Sequence, residues 1–511
     1  MQSRPLNDRS SWWFFAAIHG EYVTPASLKI PGAFPWANIP PVPTVPTTPL
    51  PDTTVSDLYW DQCQHQSWYF APWHRGYLLA LEAHVRAAVV GLGGPPNWAL
   101  PYWDYFGPGN EFEIPPAFTQ PTLPGGGANS LLVTARYGPD GNGNIYVPTP
   151  AGIKRHPHDP HFGSGTATDV CMSNDLYTGH DASTKPPGFG GPVTPFWHGG
   201  HTPSGNLEGN PHNLVHVYVG GFLSNSQEGL MSDPGVAGLD PIFYLHHANI
   251  DRMWAAWNSN PKNTNPTDPN WLNGPTAVGE RKFVMPMPDG TSWTYTPQQM
   301  SSLSLLDYTY DSLQTPASTP APALLAQRLT ELGATAAATK LREGATVGTG
   351  TNMELVGATQ QAIPIKGSGA TATVKLDAGV RNKVSASLAG ASETAAPDRV
   401  YLNLEDVRGT FDASVLSVYI NLPKGANPGD HPELLAGSVA LFGLRRASFR
   451  DGQHGGGGLS FVLDITKIID ALHLKNALNV DSLQVSIVPD RALPDNAQIT
   501  VGRVSIYREG L

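Results

Sequence analysis

Cysteine is nearly absent. Two thiols in 511 residues, Cys63 and Cys171, allow one disulfide at most and exclude the bridged framework of a small secreted protein. Charge is scarce too, with Asp, Glu, Lys and Arg at 14% of the chain. The formal net charge of −11 and the lack of any Lys/Arg run exclude a binder of phosphate backbones, so no nucleic acid is expected as a partner. Long apolar runs are missing as well. The stretch WWFFAAI at 12–18 follows Asp8 and Arg9 and has no small-residue cleavage site after it, and it is far shorter than the roughly 18 uncharged residues a membrane span needs. A helix rather than a signal is expected there, no membrane partner is expected, and the chain reads as cytoplasmic unless a partner exports it.

Glycine (54) and proline (49) are abundant instead, so long loops join comparatively few regular elements. A chain of this length exceeds one ordinary core, and two or more domains are expected. Its texture divides accordingly. The first 310 or so residues hold the tryptophans and 14 of the 17 histidines. From about 311 the composition turns to Ala, Thr and Pro, as in TPASTPAPALLAQRL, and then to alternating apolar segments. These are TATVKLD (371–377), RVYLNLEDV (399–407), SVLSVYINL (414–422), GSVALFGL (437–444), LSFVLDIT (459–466), LQVSIV (483–488) and ITVGRVSIY (499–507). Such strands, separated by Gly, Pro and Asp turns, predict a β-sandwich.

In CQHQSWYFAPWHRGYLLALE at 63–82, His65 and His74 stand in an aromatic setting with Pro72 between them. Nine helical steps of about 100° would put them on opposite faces, so two segments must deliver them. Pro72 suits the first turn of a helix whose stripe is His74, Leu78, Leu81, Val85 and Val89. In SSWWFFAAIHG, Trp12, Phe15, Ala16 and His19 share one face behind a serine cap. GNPHNLVHVYVGG offers Asn210 as cap, Pro211 at the first position, and His212 and His216 at the chelating i, i+4 spacing. In DPIFYLHHANIDRMWAAW, the stripe Ile242, Phe243, His246, Ile250, Met253 and Trp257 favours His246 as a ligand, with His247 rotated by about 100° to a place beside the site.

One buried histidine alone is ordinarily a hydrogen-bonded part of a core. Six together, His19, His65 and His74 with His212, His216 and His246, form two neutral three-nitrogen sets that suit copper or zinc and lack the carboxylates hard ions prefer. Binuclear zinc hydrolases usually add carboxylates, and none stands at a ligand position, which favours copper.

These motifs, H-x8-H-R from His65 running on to Glu82, PHNLVH at 211–216 and DPIFYLHHANID at 240–251, resemble those of the tyrosinase family of dicopper proteins. LPYWDY at 100–105 and the Tyr-x-Tyr of Tyr308 and Tyr310 extend the resemblance over about residues 1–312. NMELVG (352–357) and GRVSIY (502–507) are similar to the β-rich domain of longer polyphenol oxidases. The resemblance implies an α+β multidomain protein. Residues 1–312 would form a mainly α-helical four-helix-bundle dicopper domain with long loops, 313–348 a linker, and 349–511 a β-sandwich-like C-terminal domain that shields the site or assembles a homo-oligomer.

It further implies one copper ion on His19, His65 and His74 and a second on His212, His216 and His246, with O2 as co-substrate. Small phenols such as tyrosine would be hydroxylated to o-diphenols, and catechols oxidised to o-quinones. Hydroxylation needs a phenol of pKa about 10 to lose its proton, and the family holds a water for this between residues matched here by Glu208 and Asn213. Asp233 and Pro234 stand where diphenol-only members carry a screening Phe, which implies an open mouth. Arg75 is expected to meet Tyr308 or Tyr310, Glu82 to accept a ligand's second ring N–H, Asp251 to pair with His247 or near Arg252, and Phe243 to lie beside the ligands. Cys63 is expected to join His65 through the thioether that fungal tyrosinases and molluscan haemocyanins form at this Cys-x-His spacing.

Three other clusters carry less. HPHDPH at 156–161 misses the H-x-H-x-D-H zinc pattern by one place and reads as a solvent-facing turn, and His180, His198 and His201 are assigned no metal. GQHGGGG at 452–458 lacks the lysine and the strand-to-helix setting of a phosphate loop. A catechol or o-aminophenol oxidase is the nearest alternative function, and a haemocyanin-like oxygen carrier the more distant one.

Overall fold

The first helix of the computed structural model, α1 (Trp12–His19), starts where the Ser11 side chain accepts the Phe14 N–H, and it buries every residue from Trp13 to His19. The structure describes residues 1–20, 22–24, 36, 44–109, 111–150, 165–179, 187–196, 202–275, 281–314, 321–343, 352–391, 396–450, 456–478 and 481–510. HPHDPH, His180, His198, His201 and residues 452–455 of the glycine run lie outside them. After α2 (Thr53–Tyr59) comes α3 (Phe70–Gly91), with Pro72 in its first turn, where a missing N–H costs no hydrogen bond. His74, Leu78 and Leu81 are buried on it, while Val85 and Val89 reach its less buried end. Residues Glu208–Asn213 form an irregular turn that leads into α4 (Leu214–Gly220). Asn210 does not cap that helix. Its backbone is extended and its amide oxygen accepts the Thr168 N–H at 2.8 Å.

Helix α5 (Ile242–Ser259) is buried on every side from Ile242 to Trp257. Buried Arg75 of α3 donates to Asp251 of α5 at 2.5 Å and lies 3.9 Å from the Trp254 ring, which binds the two helices together. Removing one partner of such a buried pair costs about 3–5 kcal/mol. A hairpin, β1 (Phe283–Pro286) with β2 (Ser292–Tyr295), closes over α3. There Tyr295 donates to the Trp73 carbonyl at 2.7 Å, over Gly76, whose Cβ would stand 2.1 Å from its ring.

Two helices, α6 (Ala321–Glu331) and α7 (Thr335–Arg342), precede the second region. Its strands are β3 (Asn352–Ala358), β4 (Ile363–Ile365), β5 (Ala370–Leu376), β6 (Arg399–Arg408), β7 (Val415–Ile420), β8 (Leu435–Ala440), β9 (Leu459–Asp464), β10 (Ser482–Pro489) and β11 (Ile499–Gly510). All seven segments expected from alternation are strands, β5 to β11. They build one antiparallel sheet in the order β8-β7-β10-β5-β3-β11-β6-β9, with β4 also on β11, rather than two sheets of a sandwich.

The reason lies in β11, which at 12 residues pairs with β6 on one side and with β4 and then β3 on the other. Bulges near Tyr507 and between Leu404 and Val407 add twist. The sheet's ends approach, with Leu463 of β9 against Gly437 of β8, so it curls into a barrel-like form. Strand β4 is only three residues around Pro364, and β3 has a weak alternation, which is why neither stands out in the sequence. The first region's core takes in Val415, Ala440 and Phe442 from the second, and the second's takes in Phe222 from the first. No described helix is long and apolar enough to cross a membrane.

Candidate metal centre

Three buried histidines come from three places: the last residue of α1, the loop before α3, and the second turn of α3. One ring nitrogen from each of His19, His65 and His74 lies within 4.8 Å of the others. His19 Nδ1 donates to the Pro234 carbonyl at 3.0 Å and His74 Nδ1 to the Phe70 carbonyl at 2.8 Å, which leaves Nε2 of each ring to carry the lone pair. Gly20 makes the first bond feasible, since a Cβ there would stand 2.4 Å from the Pro234 oxygen. His74 Nε2 is buried with no hydrogen-bond partner among the described residues. Burial and the neighbouring imidazoles hold His74 well below the usual histidine range, so its ring is neutral and able to coordinate.

A second set faces the first across the stacked rings of His74 and His247, 4.5 Å apart. His212 Nδ1 donates to the Asn213 amide oxygen and His216 Nδ1 to the Met231 carbonyl, both at 2.8 Å. Their Nε2 atoms each lie 3.2 Å from His247 Nε2. Burial, with the other imidazoles, lowers the pKa of all three well below the usual value.

Both histidines of α5 join this set: His212, His216, His246 and His247 each place a ring nitrogen within 4.8 Å of the others, the apolar stripe favours His246, and the ring nearest both His212 and His216 Nε2 is His247. The stripe cannot discriminate, because α5 is buried all round. Phe243, one turn before His247, stacks on it at 4.1 Å and holds it toward the other rings, as a neighbour of the ligands should. His246 stacks behind His212 at 5.3 Å, and neither of its ring nitrogens has a hydrogen-bond partner among the described residues. Burial pushes it down to about 3.

Glu208 and Asn213 are brought to one spot beside this set. Both oxygens of the buried Glu208 carboxylate accept the Gln66 N–H, at 2.8 and 2.9 Å, and burial pushes its pKa up to about 8. Ser204 hydrogen-bonds to the same carboxylate and takes a long 3.5 Å bond from the Asn213 amide. Ser204 has no signal in the sequence.

Other expected neighbours are placed differently. Arg75 reaches Tyr308 and Tyr310 through a carboxylate: both tyrosines donate to Asp251 Oδ2, while Arg75 holds Oδ1. Asp251 is thus taken by Arg75 and the tyrosines rather than by His247. Glu82 holds Arg86 and the Leu100 N–H instead of a ligand's ring nitrogen, because its turn of α3 has already left the buried centre. Cys63 and Cys171 are both buried and not bridged to each other.

The mouth carries a residue from the other region. Phe442, between β8 and a short helix α8 (Leu444–Ser448), stacks on His216 at 4.2 Å and lies edge-on to His65 and His212 at 5.8 Å. Gly443, at φ 82°, makes the turn that lets this ring project. Burying such a ring contributes on the order of 2 kcal/mol. The expected open mouth at Asp233 and Pro234 is filled in this way, and the residue behind Phe442 in the GSVALFGL run, a glycine, is the one available hint.

Two buried histidine clusters of this geometry, one of three residues and one of four, invite comparison with known proteins. A tyrosinase of Hahella sp. (strain CCB-MM4) is 30% identical over 525 aligned residues, covering 100% of this chain and 94% of that protein. The chain belongs to the tyrosinase family. The family model described as the common central domain of tyrosinase matches residues 9–260, and a domain of unknown function matches 352–509. Polyphenol oxidase E of Solanum lycopersicum is 33% identical over 41% of the chain and a third of its own length. In fold, the chain is similar to the latent apple tyrosinase, with a TM-score of 0.55 at 20% identity over 100% of this chain and 92% of that one. As a tyrosinase-family member, the chain is a copper-dependent oxidoreductase acting on phenols, and its family binds two copper ions. The two buried sets of imidazole nitrogens fit that metal.

Proposed function

We propose that this tyrosinase-family enzyme hydroxylates monophenols at the ortho position and oxidises o-diphenols to o-quinones, with one copper ion on His19, His65 and His74 and the other on His212, His216 and His247. On this reading α1, α3, α4 and α5 stand for the family's helical bundle, and the division at 1–312, 313–348 and 349–511 is retained. When bound, the two copper ions supply the activation of O2 and accept the electrons of the diphenol. The chain's own residues do the rest. The flat face of His216, where Phe442 lies, is the platform for a substrate ring once the Phe has left. Glu208, held by the Gln66 N–H and Ser204, receives the phenolic proton on its carboxylate, and Asn213 fixes His212 while its amide faces Ser204. The aromatic walls of Phe70, Trp73 and Phe243 keep water out.

The observation that carries the hydroxylase reading is the convergence of Glu208 and Asn213 on one hydroxyl beside His212. One fact favours a catechol oxidase instead: with its pKa near 8, Glu208 is a reluctant base at neutral pH. Copper-loaded protein assayed separately on L-tyrosine and on catechol decides. Turnover of both is expected, with o-quinone formed from each; turnover of catechol alone would replace the proposal with that second reading.

A further inference from the structure

We propose that Arg445, with Glu228, Asp233 and Asp412, forms a latch across the two regions that seats Phe442 in the metal centre and releases it as pH rises. This rests on the reading that Phe442 blocks the substrate's place. Arg445 stands three residues after Phe442, on α8. Its Nη1 donates to Asp233 Oδ2 and to Asp412 Oδ2, both at 2.7 Å, its Nη2 donates to Glu228, and its backbone N–H donates to Asp412 Oδ1 at 2.8 Å. Glu228 also accepts the N–H groups of Asp412 at 2.5 Å and Ala413 at 2.8 Å. The first region supplies Glu228 and Asp233, and the second supplies Arg445 and Asp412. Side-chain exposure is 3% for Arg445, 2% for Asp233, 1% for Asp412 and 11% for Glu228.

Charge does not balance here. Three carboxylates meet one guanidinium, so full ionisation would leave two uncompensated negative charges in a dry interface. The other charged or titratable groups facing the cluster do not correct this: Arg446 is spent on Asp61, and Tyr22 is a buried, neutral phenol. Burial raises the pKa of Glu228 and of Asp412, against the pull of Arg445. Once the regions part, both carboxyls return to about 4.

The sign follows from linkage. The docked state holds protons more tightly than the parted one, so the proton's contribution to docking is complete below about pH 4 and is lost as pH rises through the docked values. Opening grows by up to tenfold per pH unit for one proton over that interval, then levels off. Because Phe442 and Arg445 share one turn of chain, release of the latch withdraws the ring from His216.

The test uses the copper-loaded full chain from about pH 5 to pH 9, following catechol turnover and, separately, hydrogen exchange of residues 441–449 corrected for its intrinsic rate. Protection is expected to fall and turnover to rise together. Glu228→Gln, which keeps the shape and the acceptor, should flatten the slope, as should Asp412→Asn, and Arg445→Met should open the interface at every pH. Protection that is constant with pH, or a wild-type slope in both amide variants, would overturn the latch. Phe442→Gly separates the two ideas: if it leaves turnover unchanged while 441–449 stays protected, the blocking reading fails, and the exchange slope still judges the latch.

Discussion

His212 and His216 stand one helical turn apart on a single stretch, whereas His19, His65 and His74 come from the end of one helix, a loop and the start of another. The second set is built by local periodicity and closed by one residue of α5. The first depends on long-range ties, above all the bond from His19 to the Pro234 carbonyl, 215 residues away. That tie runs through the loop that also bears Asp233, the residue gripped by Arg445. Phe442, in turn, leans on the second set, at 4.2 Å from His216, and only grazes His65. The locally built site is thus the covered one, and the site assembled over long range is coupled to the element that covers it.

The largest expected effect concerns what closes the second set. Loss of a group that merely supports a ligand costs roughly 10–100-fold in metal affinity. His246→Ala should fall within that range. His247→Ala should exceed it, and the purified protein should bind about one copper ion per chain instead of two, by elemental analysis. If the two variants behave in the opposite order, His246 is the ligand and the second set is closed from the other face of α5.

Much of this architecture is legible in the amino-acid sequence alone. The i, i+4 pair at His212 and His216, the proline-opened helix at His74 and the serine-capped helix ending at His19 follow from spacing, because their elements obey local rules. The seven strands β5 to β11 follow from alternation for the same reason. What spacing cannot decide are the choices that depend on surroundings. His246 and His247 cannot be ranked by a stripe in a helix buried on every face. The curl of the sheet is set by β11 pairing on both sides, which no single segment reveals. Glu82 has the helical phase of a partner for a ring nitrogen, yet α3 runs away from the centre by its third turn, and Arg86 claims it. Ser204 and Phe442 reach the site across the fold, so apart from the glycine that follows Phe442 their neighbours in sequence carry no trace of it.

A middle-sized effect probes the difference in chemistry beside the two sets. Glu208 bridges them, since it follows the Gln66 N–H next to His65 and precedes His212 by one turn. Glu208→Gln keeps the size of the side chain but removes the proton acceptor. General-base loss costs about 10²-fold or more in the step that needs it. Tyrosine hydroxylation should fall by about that factor while catechol oxidation changes only a few-fold. An equal loss on both substrates would mean that Glu208 serves the metal centre's architecture and that the proton goes elsewhere.

The smallest effect belongs to the first set and to Cys63. A bond from Cys63 Sγ to a ring carbon of His65 removes the thiol hydrogen and one ring hydrogen, with two electrons passed to O2, the co-substrate the family already uses. It would fix His65 on a loop that, unlike the helices bearing His19 and His74, has no regular backbone to hold a ring. In the folded chain thiol reagents do not report on it, because burial pushes a Cys63 thiol well above its ordinary range and leaves it inert. The mass of the denatured wild-type chain, two hydrogens below that of its sequence, is the expected sign, with Cys63→Ser showing its full sequence mass. Copper binding by that variant should weaken by no more than about tenfold, the lower end of what loss of a supporting group costs. A wild-type chain at full mass would mean that His65 is placed without a covalent tie, and that the first set owes its order to the His19 bond to the Pro234 carbonyl, the His74 bond to the Phe70 carbonyl and the contacts of the loop between them.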